Sequence, residues 1–549
     1  MDHPWGEPEV KPIYPQENFI DLHFPAGGMD LSRPFYKQMP RDIGGKYART
    51  TPYGKNVRGY EAINERNRGG SRAGLVKWAP TAPVSGWILQ NLATIVNVGI
   101  NPPGGGAVQA SQSGRVVTLV AVSQGNVYVM NAGDTTWTEP TNSTGETPPL
   151  NLTGIVRSTC HNQIMYFADG VNRVKYTPAT NILSLWTPTA GAFPEDASGN
   201  YPTLICTWRG RIVQSGIEDD PHNWFMTASD GPTDWNYGDP ASPPTMAVAG
   251  NNAPQGLIGD VVTALLPYTD DMLFFGGDQQ IWLMRGDPMA GGQLDCITRA
   301  VGMAYGDSWT MDPYGVVYFV SNEPAVYRME PRAGGLPQRI SQGIDPELAD
   351  INTGEYALHC QWSRREQELK VFITKTDEPE ETTHWAWEQR TGAWFPDEFA
   401  NKNHNPLVSC TFDGNEASDR VLLIGCWDGF VRAFDHDALN DDGYDIESEV
   451  WIGPLVTKDL DELMLKELQA VLGTGSGQVT FAIHLGATAE AARSSTSVYS
   501  GTWTAGRNPA EFLRRSNHAI FVKITSTKRW ALEQIRACVK GHGKVRRRG

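Results

Sequence analysis

Short runs of apolar and β-branched residues, broken by Gly, Asp, Asn and Pro, fill the chain between about residues 80 and 440. The run 116–122 is followed by Gly125-Asn126 and then by the run 127–130. Two short apolar runs joined by residues that tolerate a positive φ are typical of a β-hairpin. The same layout recurs at 163–170, 272–278 and 421–431. We therefore expect a succession of short antiparallel strands.

Tryptophans mark a longer period in the same region. Trp137, Trp186 and Trp235 are spaced 49 residues apart, and Trp282 follows 47 residues after the third. A period of about 40–50 residues with about four short strands per unit is the signature of propeller blades, so the region predicts a β-propeller of six or seven blades. Because a large ring fills the space between packed sheets, we interpret these tryptophans as packing residues in preference to a ligand-binding aromatic surface.

The pattern divides this all-β chain into three regions. Residues 1–78 are predicted to be an extended N-terminal arm, 79–445 the propeller and 446–549 a C-terminal β-rich domain. Apolar residues at helical spacing in the last region predict an amphipathic helix over 457–472; they are Leu460, Leu463, Met464, Leu468, Val471 and Leu472. The runs 479–484 and 519–524 predict strands.

Composition limits the possible classes of protein. The 549 residues are 40% hydrophobic and 20% charged, which excludes disorder for most of the chain. No stretch approaches the roughly 18 consecutive apolar residues of a membrane-spanning helix, and the first residues do not form a secretory signal. The seven cysteines are scattered and never arranged as C-x-x-C, so we interpret them as buried thiols.

Charge is distributed unevenly along the chain. Residues 1–32 carry a net charge of −5, 33–77 carry +8, 78–512 carry −29 and 513–549 carry +10. The basic segments could contact an acidic partner surface or phosphate, while the acidic body repels nucleic acid. The basic C-terminus, 544–548, could equally be an ordinary solvated tail.

The first basic segment interleaves tyrosines with lysines and arginines. This pattern suits a grip on a nucleic acid strand by charge and stacking, and it also suits an extended arm lying on a neighbouring subunit, which we favour. The candidate subunit or partner contacts are Arg41, Lys46, Arg49, Lys55, Arg58, Arg66, Arg68, Arg72, Arg546, Arg547 and Arg548.

Catalytic signatures are largely absent from the sequence. There is no Walker loop, no H-E-x-x-H, no G-x-S-x-G and no dinucleotide fingerprint, and we expect no enzyme activity, cofactor or metal site. The segment 229–235 is similar to the Asp box of sialidase-type propellers but is one residue too short. A carboxylate cluster in 428–442 lacks the order of a calcium loop, so we interpret it as a solvated acidic loop.

Several segments carry a resemblance to one family. The segment 61–75, with Asn64 and Arg66 through Gly74, resembles the point at which the nozzle proteins of short-tailed bacteriophages, also called tubular tail protein B, lead into their propeller. The stretches 271–284, 302–306 and 315–319 resemble the same family, as do 391–395, 425–435 and, more loosely, 530–535. The resemblance covers most of 55–440.

The resemblance implies a structural virion protein of the short non-contractile tail, made in the bacterial host cytoplasm. Six copies would form a homohexameric tube beneath an adaptor ring under the portal, with tail fibres or spikes and a needle or plug as further partners. Double-stranded DNA would pass through the lumen without sequence-specific binding. The family also implies a strand, not a helix, at 457–472. The alternative is a carbohydrate-binding or glycoside-cleaving propeller, in which Trp and Tyr would stack on sugar rings and a carboxylate pair would act as acid and base.

Overall fold

Two compact units make up the chain in the computed structural model. The structure describes residues 18–38, 41–43, 46–97, 116–131, 133–143, 150, 154–237, 243–414, 420–457 and 461–541. The propeller unit comprises 75–389 and 398–435, and the terminal unit comprises 1–74, 390–397 and 436–549.

The propeller unit is a series of antiparallel meanders. Its first hairpin pairs Val116–Ser123 with Asn126–Asn131. The two turn residues, Gln124 and Gly125, have φ of 51° and 72°, the positive values that a tight hairpin turn requires. The hairpin predicted from the sequence is confirmed.

Seven sheets, numbered here as blades 1 to 7, follow one another in the described part of the propeller unit. Blade 1 contains Leu89–Asn97, Val116–Ser123 and Asn126–Asn131; blade 2 contains Arg157–His161, Ile164–Ala168, Arg173–Thr177 and Ile182–Leu185, with Thr141–Asn142 parallel to the last; blade 3 contains Leu204–Trp208, Arg211–Ile217, Asp220–Met226 and Val248–Ala249; blade 4 contains Val262–Thr269, Met272–Gly277, Ile281–Arg285 and Gln293–Thr298. Blade 5 contains Trp309–Met311, Val317–Val320, Val326–Met329 and Gln338–Arg339; blade 6 contains Tyr356–Ser363, Glu368–Lys375 and His384–Glu388; blade 7 contains Pro406–Asp413, Arg420–Cys426 and Val431–Asp435. Short helical turns lie at Pro288–Ala290, Pro331–Ala333, Asp345–Leu348 and Lys402–His404.

The ring of blades is closed by the strand Gly74–Lys77, which is the fourth strand of blade 7 although it precedes blade 1 in sequence. The first strand of each blade is the innermost one, and neighbouring blades are linked there. The hydroxyls of Thr159 and Thr207 lie 2.9 Å apart between blades 2 and 3, and the Gln361 amide donates to the Thr411 hydroxyl at 3.2 Å between blades 6 and 7. The chain is an all-β propeller, with seven blades in the described residues.

Aromatic rings fill the space between blades 2 and 3. Trp186 and Trp235 are fully buried, and their ring centroids lie 5.7 Å apart. Trp137 is partly buried against the hydrophobic cluster shared by blades 7 and 1, and Trp282 against the one shared by blades 3 and 4. The interpretation of the periodic tryptophans as packing residues is confirmed for the fully buried pair.

The terminal unit contains two five-stranded sheets. One sheet orders Asn18–Leu22, Leu532–Gly541, Leu463–Leu472 and Gly506–Arg507, with Glu511–Asn517 also paired to the third strand; the other orders Gly54–Lys55, Ser448–Leu455, Ala519–Ser526, Val479–Gly486 and Tyr499–Trp503. Short pairs join Arg41–Ile43 to Lys46–Ala48 and Val57–Tyr60 to Asn67–Ser71. The helices are Phe35–Lys37 and Ala489–Ser494, and Ala393–Asp397 is a strand.

The helix predicted at 457–472 is wrong, and the strand implied by the family resemblance is present. The strand Leu463–Leu472 alternates core-facing and outward residues, but a bulge between Leu465 and Glu467 shifts its register by one residue. Buried residues occur at every second position of this strand, except for one step of three positions at the bulge. That single longer step makes the apolar spacing look helical, which explains why the sequence predicts a helix here.

The first and the last strand of the described residues both belong to the terminal unit. Asn18–Leu22 pairs with Leu532–Gly541, and Gly54–Lys55 pairs with Ser448–Leu455. The N-terminal region, predicted as an extended arm distinct from the C-terminal domain, therefore shares sheets with that domain. The unit boundaries fall at 74/75 and 435/436, and 390–397 also belongs to the terminal unit, whereas the predicted boundaries are 78/79 and 445/446.

Candidate functional site

The predicted contact residues fall into two groups. Arg49 and Arg66 are exposed, and half-buried Lys55 lies 3.7 Å from the Glu447 carboxylate. Arg41 and Lys46 lie in two short paired strands, and nothing is described of their side chains. Arg546, Arg547 and Arg548 lie outside the described residues.

The second group is engaged inside the terminal unit. Arg72 is 2% exposed, and its two terminal nitrogens donate to the Asp441 carboxylate at 2.9 and 2.6 Å. Although burial opposes it, the charge of Asp441 raises the pKa of Arg72. One terminal nitrogen of Arg58 donates to the Asp397 carboxylate at 2.6 Å. Arg68 pairs with Glu61 at 3.0 Å and also with Glu533. These three charges stabilise the fold of one chain, and a subunit contact through them stays a prediction.

The predicted acidic loop around 428–442 is largely structural. The Asp428 carboxylate accepts both terminal nitrogens of Arg432, at 2.8 and 2.6 Å. Asp441 is fully buried on Arg72, so the interpretation as a solvated loop is wrong for this residue. No group of three potential metal-ligating side chains occurs among the residues that the structure describes.

The sequence also predicts buried cysteine thiols and no membrane-spanning helix. All seven cysteines are free; five are buried, Cys296 is half-buried and Cys160 is exposed, so the prediction of buried thiols is wrong for Cys160. In the described part of the chain, no helix is long and apolar enough to cross a membrane.

A cavity of about 390 Å³ opens where the innermost strands of the propeller begin. Because these strands form a ring and run in one direction, their first residues converge at one end of the propeller axis. Six blades contribute lining residues; among them are Leu89, Arg157, Thr203, Tyr305, Tyr356 and Leu407. The volume lies within the range of about 300–1,000 Å³ typical of small-molecule sites. We call this space the axial cavity.

Arg157 is the central polar group of the axial cavity. Its guanidinium carbon lies 4.7 Å from the centre of the Tyr305 ring, in cation–π geometry. Its Nε is buried without a hydrogen-bond partner, and the nearest carboxylate oxygen, from Asp307, lies 3.7 Å away. Gly306 has φ of 88°, and a Cβ there would lie 2.6 Å from the guanidinium carbon. Glycine at this position therefore leaves the space that Arg157 occupies.

Two carboxylates and one imidazole also line the cavity. Asp169 is buried and accepts backbone hydrogen bonds from Val171 and Asn172 at 2.9 and 2.7 Å, whereas the Asp307 side chain is 66% exposed. Burial, with a smaller effect of the nearby His384, lowers the pKa of His359 to about 3. His359 is therefore neutral at physiological pH.

Sequence reasoning did not single out Arg157, Tyr305 or His359. They come from three different blades and are separated by 148 and 54 positions in the chain, so no local spacing joins them. Of the three, only Tyr305 lies in a segment that carries the family resemblance, 302–306.

No protein-family model and no curated protein matches the chain. Among solved structures, the chain is similar to the extracellular domain of a hybrid two-component system from B. thetaiotaomicron, at 10% identity and a TM-score of 0.39, covering 74% of this chain and 45% of that one. The structure of BBS1N in complex with ARL6DN has 10% identity, a TM-score of 0.40 and coverage of 67% and 99%. YCF48 bound to D1 peptide has 11% identity, a TM-score of 0.36 and coverage of 66% and 96%. The chain spans about half the length of the first of these proteins. These scores are low, and the fold assignment rests on the strand pairing.

Proposed function

We propose that the chain is the subunit of the tail nozzle of a short-tailed bacteriophage, a structural virion protein without enzyme activity. Six copies form a ring that retains the packaged genome and conducts it during ejection. The partners are the adaptor ring below the portal, tail fibres or spikes and a needle or plug. The resembling segment 61–75 supports the proposal, because its last residues begin the strand that closes blade 7.

The separation of charge between the units carries the proposal. The propeller unit contains 39 Asp and Glu but only 19 Lys and Arg, a net charge of −20. Since the whole chain carries −16, the terminal unit carries +4. An acidic wall repels DNA phosphates, so a duplex can slide past it, whereas a basic wall would hold the duplex.

A second observation favours self-association. On the sheet of the terminal unit that contains Asn18–Leu22 and Leu532–Gly541, Phe512 is 76% exposed and Phe19 is 51% exposed. Arg536 stacks on the Phe19 ring with its guanidinium carbon 4.4 Å from the ring centre, and Arg514 and Arg515 are also exposed. Large exposed apolar side chains beside cations are typical of protein interfaces.

The proposal is tested by measuring the mass of the purified chain by light scattering, with negative-stain images of the same sample. Closed six-fold rings of about 360 kDa are expected from a 60.4 kDa chain. Charge reversal at exposed predicted contacts, Arg49→Glu with Arg66→Glu, should shift the mass towards the monomer. Arg299→Glu, an exposed position in the propeller unit, is the control. A monomer at every concentration would overturn self-assembly.

The axial cavity also bears on the alternative, a glycoside-cleaving propeller. Cleavage requires one carboxyl group as acid and one as base or nucleophile. In the cavity, Asp169 already accepts two backbone hydrogen bonds, and Asp307 lies beside Arg157. This arrangement favours binding over hydrolysis. Release of reducing sugar from oligosaccharides by the monomer would instead support the alternative.

A further inference from the structure

We propose that the axial cavity binds the end of a neutral saccharide. The inference does not depend on assembly into a nozzle, because every residue that it uses belongs to the propeller unit of one chain. In a tail protein, such a site would add recognition of a surface glycan to the conduction of DNA.

The charges in the cavity disfavour an ionic ligand. Arg157 and Asp307 partly neutralise each other across 3.7 Å, and the buried Asp169 carboxylate already accepts hydrogen bonds from the backbone N–H groups of Val171 and Asn172. An anion would meet two carboxylates, and a cation would meet the guanidinium. A neutral ligand avoids both penalties, since it brings no charge to be desolvated.

The guanidinium of Arg157 and the carboxylate of Asp307 together match a ligand with adjacent hydroxyls. The guanidinium of Arg157, whose Nε has no hydrogen-bond partner, offers N–H donors at the cavity, and the exposed Asp307 carboxylate can accept. A hydroxyl both donates and accepts, so neighbouring hydroxyls of one sugar ring can serve a guanidinium and a carboxylate side by side.

The other lining groups match the C–H face of a sugar. Tyr305 lines the cavity and is 48% exposed, and its hydroxyl is hydrogen-bonded to Thr203. Ile155, Leu358 and Leu407 add apolar surface. A site with a mostly apolar wall and few oriented polar groups is the usual form of a small-molecule pocket.

The test uses the full-length chain and saturation-transfer NMR with four probes, the methyl glycosides of glucose, galactose, mannose and N-acetylglucosamine. At least one probe should bind with a Kd in the millimolar range or tighter, which corresponds to about −4 kcal/mol or better. Tyr305→Ala should weaken that binding at least tenfold, or about 1.4 kcal/mol. Gly306→Ala should do the same, because its Cβ displaces Arg157.

Tyr314→Ala is the matched control, since Tyr314 is 78% exposed and does not line the cavity; its binding should equal that of the unmodified chain. Thermal unfolding of each variant establishes that it is folded. Tyr305→Phe, which keeps the ring, should retain most of the binding. The inference is overturned if no glycoside binds at about 10 mM, well above a millimolar Kd, if binding survives both cavity substitutions, or if inorganic phosphate or putrescine binds there instead.

Discussion

The buried pair of Arg72 and Asp441 gives the sharpest test of where the predicted contact residues act. Both side chains are almost inaccessible, 2% and 0% exposed, and the guanidinium also donates from Nε to Asn56 at 2.9 Å. Arg72→Met removes the cation and leaves the Asp441 carboxylate buried without its counter-charge. Breaking such a pair typically costs about 3–5 kcal/mol, a large part of the stability of an ordinary domain.

Urea unfolding, followed by tryptophan fluorescence, measures this loss in the terminal unit. The double variant Arg72→Met with Asp441→Asn should recover part of the stability, because the uncompensated charge is gone. Arg66→Met, at an exposed position of the same segment, is the control and should change the free energy of unfolding by at most about 0.5 kcal/mol. If Arg72→Met unfolds like the unmodified chain while ring mass falls, Arg72 is a subunit contact and the reasoning from burial is refuted.

Three further predictions concern other positions. Folding lowers the pKa of His359 from 6.5 to about 3. The stability that depends on neutral His359 is therefore complete above pH 6.5, and the free energy of unfolding falls by about 1.4 kcal/mol per pH unit as the pH falls towards 3. His359→Gln should flatten this slope in unfolding measured from about pH 7 to about pH 4, and an unchanged slope would contradict the prediction. Gly28→Ala should destabilise the terminal unit more than Gly392→Ala in thermal unfolding. Both positions have a positive φ, which costs an alanine about 1–2 kcal/mol. Only at Gly28 would the new Cβ also lie 2.5 Å from the Trp394 carbonyl oxygen. An equal loss of thermal stability in the two variants would contradict this prediction. Phe512→Ser should lower the mass measured by light scattering and leave monomer unfolding unchanged; rings of undiminished mass would remove Phe512 from the interface.

Local pattern was sufficient for most strands of the propeller. The run 116–130 predicts its hairpin because apolar runs and a Gly-containing turn act over a few residues, and the structure has the hairpin with Gly125 in the expected conformation. The spacing of the tryptophans predicts six or seven blades for a similar reason, since each blade repeats one local unit. The same reasoning failed at Leu463–Leu472, where a bulge that depends on two partner strands altered the spacing.

The sequence by itself thus determined the all-β class and the propeller, because periodicity and turn chemistry are properties of neighbouring residues. Only the tertiary structure decided that Gly74–Lys77 closes blade 7 and that Arg72 lies inside the terminal unit opposite Asp441. It also brought Arg157 and Tyr305 together at the propeller axis. These outcomes depend on contacts between residues far apart in the chain, and whether a charge meets solvent, a partner or a buried counter-charge is decided by those contacts.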